Sequence, residues 1–125
     1  MESRKRPNHC VLEYLYRDGG NWKTYGEALL MGEFSPDLSP EIKALLGGDC
    51  LFVPEQVGLS PLQDQHTNSY GDLRGLNHAF HEFVRLRPAE ASDLCATPAI
   101  TTNDQFIGSL RNIDQNWNCG LSPYV

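Results

Sequence analysis

The sequence has 125 residues, enough for one domain with a single core. Apolar residues make up 40% of it, which excludes wholesale disorder, and no apolar run approaches the roughly 18 residues of a membrane span. The formal net charge of −6 argues against a nucleic-acid partner, which would require a basic face.

Residues 1–8 read as a flexible polar arm ending before a folded domain over residues 9–125. The basic start is followed by an apolar stretch broken by Glu13, Arg17 and Asp18, so no signal peptide is read and a cytoplasmic location is expected. Residues 10–34 hold two apolar runs flanking Asp18-Gly19-Gly20-Asn21, the pattern of a β-hairpin. Glycine in that turn supplies the positive φ of a tight reversal. Apolar residues fall on both parities, as in a strand covered on both faces or carrying a bulge. Gly26 marks a bulge or a close backbone approach.

Ser39 followed by Pro40 predicts a helix start, and Ile42, Leu45 and Leu46 give it a short apolar stripe. Gly47-Gly48 stops it. Cys50 to Val53 reads as a third strand ended by Pro54. Gly58 and Pro61 point to an extended loop over 55–65, and the polar run 65–75 to a mobile loop. Residues 76–87 satisfy two patterns. A helix puts Leu76, Ala79, Phe80, Phe83 and Val84 on one face, which the periodicity favours; a strand is favoured by the β-rich end FVRLRP. Residues 89–98 read as a linker. Thr101 to Asp104 offers caps for a last helix carrying Phe106, Ile107, Leu110, Ile113 and Trp117, ended near Gly120.

The stretches YLYRDGGNWKTYGE, FVPEQVGLSPLQ and HAFHEF together resemble segments of small bacterial proteins of unassigned function. The resemblance spans residues 11–87. It implies a bacterial or phage-like origin and tips residues 78–87 towards strand. It supplies no activity and no catalytic residue.

The resulting expectation is a single α+β domain of order β-β-α-β-β-α, with a mainly antiparallel sheet and a helix packed on it. Candidates for chemistry are His78, His81 and Glu82, with His66 and Asp72 upstream, because imidazole and carboxylate are common ligands for a divalent ion. On a helix His78 and His81 share a face and one ion; on a strand they point apart. Cys10, Cys50, Cys95 and Cys119 form no C-x-x-C pair and match no zinc template, so free thiols are expected. There is no phosphate-binding glycine loop, and no cofactor is expected. Tyr14, Tyr16, Trp22 and Tyr25 crowd one hairpin and offer an aromatic surface for a protein partner, or else simply the core. Two functional readings follow: a non-catalytic binding or inhibitory module, and a small metal-dependent hydrolase using His78, His81 and Glu82. The sequence does not specify an oligomeric state.

Overall fold

Residues 9–71, 78–96 and 99–121 are described by a computed structural model. Strands β1 (His9–Arg17) and β2 (Lys23–Met31) form the expected hairpin, paired without a slip from His9↔Met31 to Arg17↔Lys23. The positive φ of the turn falls on Asn21, at 71°, and not on the glycine pair. Asparagine tolerates this region because its short side chain bonds locally. Helix α1 (Leu38–Leu46) follows and ends on Gly47, whose φ of 90° suits glycine and whose N–H reaches Lys43 O. Ser39 is not its cap. The helix begins two residues earlier than Pro40, at Leu38 behind Asp37, and the Ser39 hydroxyl accepts from Leu86 N (3.0 Å), tying α1 to a strand.

Strand β3 (Leu51–Phe52) is brief, as Pro54 requires, and lies on a sheet edge. The stretch expected as extended loop begins instead with a 3-10 turn, Pro54–Val57. The expected mobile loop is largely helix α2 (Gln63–Tyr70). Residues 72–77 lie outside the described residues. Of the ambiguous stretch, residues 76 and 77 lie outside the described residues and the part from His81 is strand β4 (His81–Pro88). The expected linker contains a short helix, α3 (Ala91–Ala96), and runs into β5 (Ala99–Thr102). Helix α4 (Asn103–Ile113) starts on Thr102, whose hydroxyl accepts from Gln105 N. It stops before Trp117, because Asp114 and Gln115 both take positive φ (50° and 64°). Trp117 still packs on the core.

The class is α+β, but the sheet is mixed. Its order is β3-β4-β1-β2-β5, and β5 runs parallel to β2 while the other neighbours are antiparallel. Of the two alternatives for the hairpin strands, cover on both faces holds, while the β1–β2 pairing carries no bulge. Cys10, Leu12, Tyr14 and Tyr16 of β1 face a core closed by Ile42 and Leu46 of α1 and by Phe106, Ile107 and Leu110 of α4. Val11, Leu15 and Leu29 are buried with the opposite parity, on the other face. That face also carries linked ion pairs: Glu13 with Arg85 and Arg87, and Arg87 onward to Glu27 and Asp93. A bulge lies between β1 and β4, where Glu13 pairs Arg85 but Tyr14 pairs Phe83. Among the described residues no helix is long and apolar enough to cross a membrane.

Gly26 proves to be a close approach and not a bulge. A Cβ there would lie 2.7 Å from Leu62 Cδ2 and 3.3 Å from Tyr14 Cζ. Because the nearest atom is the end of a flexible side chain, Gly26→Ala is expected to cost only about 1 kcal/mol, read as a lower urea midpoint. An unchanged midpoint would mean that Leu62 does not seat on the strand.

Candidate functional site

The turn end of the hairpin carries both the buried polar groups and the exposed aromatic ones. Asp18 sits at the end of β1, buried, and its Oδ1 accepts from Gly20 N (2.7 Å) and Trp22 N (3.1 Å). This local bonding is the usual use of aspartate in a turn. Its other oxygen, Oδ2, lies 2.8 Å from His66 Nε2, and His66 Nδ1 lies 2.7 Å from Thr24 Oγ1. A carboxylate acceptor places the ring proton on Nε2, so in the neutral ring Nδ1 accepts from the Thr24 hydroxyl. His66 is 1% exposed. Burial alone pushes the Asp18 carboxyl up, but the bonds from His66, Trp22 and Gly20 outweigh it, and the net shift is downward.

Tyr16 is the hub on the core side. Its ring meets His66 edge-on at 4.9 Å between centroids, and lies 5.2 Å from His78 and 5.1 Å from His81. Its hydroxyl accepts from His78 N. His78 Nε2 donates to Arg17 O (2.6 Å), while Nδ1 accepts from Phe80 N. His81 is fully buried: Nε2 accepts from Leu62 N (3.0 Å), and Nδ1 donates to Ala79 O (3.2 Å). Burial drives the His81 imidazole down to about 4, with the charge of His78 adding to the fall.

Of the residues expected to hold a metal, His66, His78 and His81 therefore have both ring nitrogens engaged within the fold. Glu82 belongs to the other face of β4, in a two-pronged pair with Arg17 (2.7 and 3.2 Å). Asp72 lies outside the described residues. Among the described residues no three His, Cys, Asp or Glu side chains are placed to share an ion. Cys10, Cys50 and Cys119 are free thiols; burial pushes Cys10 up to about 11. The side chain of Cys95 lies outside the described residues.

The four aromatics divide. Tyr14 and Tyr16 are buried, and Tyr14 donates to Ser60 O (2.6 Å). Trp22 and Tyr25 are 55% and 64% exposed. Trp22 stacks on Tyr70 of α2 at 5.1 Å, and Tyr70, itself 41% exposed, donates to Lys23 O. Tyr25 pairs with Leu15, on the face away from the core. The exposed aromatics thus occupy two flanks of the hairpin end, and not one sheet face.

A hydroxyl–imidazole–carboxylate line is also the arrangement that activates a hydroxyl nucleophile. Here the imidazole and carboxylate are packed inside, and they cross-link β1, β2 and α2. Sequence reasoning missed Asp18 and Thr24 as partners of His66, since they stand 48 and 42 residues away. It also missed Glu55, both of whose carboxylate oxygens are buried with no hydrogen-bond partner among the described residues. Comparisons with protein-family models, curated proteins and solved structures found no match to this chain.

Proposed function

We propose that this chain is a non-catalytic protein-binding or inhibitory module of bacterial or phage origin, acting in the cytoplasm through the aromatic end of its hairpin. The observation that carries the reading is the exposed Trp22–Tyr70 stack, with Tyr25 on the opposite flank, held on a buried polar framework. Tryptophan and tyrosine supply large contact area at little entropic cost, and rigid support lowers that cost further. The net charge of −6 favours a partner with a complementary basic surface. The alternative, a metal-dependent hydrolase on His78, His81 and Glu82, would require those side chains to leave the bonds described above.

The test is affinity capture of a partner from a bacterial lysate, comparing the wild type with Trp22→Ala and Tyr25→Ala. At least a tenfold loss of the captured partner is expected for Trp22→Ala, the size of a typical hot-spot truncation. Equal capture by all three proteins, or hydrolytic activity that depends on Zn²⁺ or Mn²⁺, would overturn the reading.

A further inference from the structure

Helix α2, QDQHTNSY, contains no aliphatic residue, and within it only Gln63 and His66 are buried. The hydrophobic effect therefore does little to hold it. An eight-residue helix has almost no stability alone. Its attachment is polar: His66 to Asp18 and Thr24, Gln63 Nε2 to His78 O (2.9 Å), and Tyr70 to Lys23 O (3.0 Å). The residue before it, Leu62, is held by His81 Nε2. Two bonds at the ends of the connection from Leu62 to His81 require uncharged rings. His81 must accept from Leu62 N–H, and His78 must accept from Phe80 N–H.

We infer that α2 is an acid-released clasp: when His81 takes up a proton, the helix leaves the hairpin end and carries Tyr70 off Trp22, while the α1–α4 side of the sheet stays folded. The protonated His81 ring turns an acceptor into a donor aimed at Leu62 N–H. The groups facing these rings among the described residues offer little compensation. Around His81 stand Tyr14 and Tyr16 of β1 and Phe52 of β3; around His78 stand Tyr16 and the Arg17 carbonyl. Glu82, next in the chain, is turned to Arg17. The Asp18 carboxylate is taken up by His66 and by the Gly20 and Trp22 amides.

The sign follows from burial. Burial holds His81 neutral in the docked state down to about 4, below its ordinary 6.5. Docking is therefore complete above about 6.5 and is lost as pH falls towards 4.

The test uses the full chain with Trp117→Phe, which leaves Trp22 as the sole tryptophan. Two signals are followed from pH 7 to pH 4: Trp22 emission, and amide exchange of residues 63–70 corrected for its intrinsic pH dependence. Opening of 63–70 is expected to increase roughly tenfold per pH unit over the lower part of this range, with a reversible Trp22 change and unchanged far-UV dichroism of the sheet. His81→Gln, which keeps an acceptor but does not titrate, is expected to flatten the response. If that variant does not fold, the wild-type exchange profile decides. Flat exchange and emission to pH 4, or a change only together with loss of the whole fold, would overturn the inference.

Discussion

Asp18→Ala is expected to lower the unfolding free energy by about 3–5 kcal/mol, because it leaves several buried donors without an acceptor. The Gly20 and Trp22 amides and His66 Nε2–H all converge on this carboxylate. Alanine offers nothing in return, and water has little access to a buried position. Asp18→Asn should behave differently. Its Oδ1 still serves the two amides, and its amide group can donate to His66 Nε2 if the ring moves its proton to Nδ1. Thr24 Oγ1 then accepts from Nδ1, so every group remains paired and the expected loss is only about 1 kcal/mol. Urea unfolding of the two variants separates the cases. Equal and small losses would mean that the carboxylate is not the anchor of the turn.

Gly32→Ala is expected to cost about 3–5 kcal/mol, from two sources acting at one atom. Gly32 has a φ of 122°, which a side-chain-bearing residue adopts only with strain. A Cβ there would also fall 2.0 Å from Asn103 Oδ1. Asn103 opens α4, is buried, and donates from Nδ2 to Glu33 O (3.2 Å) and towards Cys10 Sγ. The methyl group thus expels the side chain that docks the start of α4. Asn103→Ala removes the obstacle, so the double variant should lose less than the sum of the single changes. Thermal unfolding of the three variants checks this; strict additivity would show that Asn103 does not press on Gly32.

The parts of the fold that were legible carry strong local chemistry. The hairpin declared itself through two β-rich runs around Asp18-Gly19-Gly20-Asn21, and α1 through Ile42, Leu45 and Leu46 ahead of Gly47. Helix α2 was not legible because its sequence has no apolar period; Gln63, His66 and Tyr70, which attach it, act through partners distant in the chain. The ambiguity of residues 76–87 also has a physical source. The bulge opposite Glu13 and Tyr14 places an extra residue in β4, which breaks the two-residue alternation and imitates a helical spacing. Strand β5 is short and pairs in parallel across a long connection, so no adjacent turn announces it.

The candidate site was legible only in part, for a reason of parity. Tyr14 and Tyr16 share the register of Cys10 and Leu12 and so enter the core, whereas Tyr25 has the opposite parity and Trp22 lies beyond the strand end. Sequence proximity grouped these four residues; the pleat separates them. His66, His78 and His81, grouped in the sequence as ligand candidates, all meet the Tyr16 ring. Their hydrogen-bond partners could not be read from spacing.

The line from Thr24 through His66 to Asp18 underlies the whole arrangement of the hairpin end. Ring-nitrogen NMR of histidine-labelled protein at neutral pH tests it most directly. His66 should show a proton fixed on Nε2, exchanging slowly with water, and that signal should vanish in Asp18→Ala. A His66 ring that averages between tautomers in the wild type, or keeps a fixed Nε2 proton without Asp18, would contradict the account.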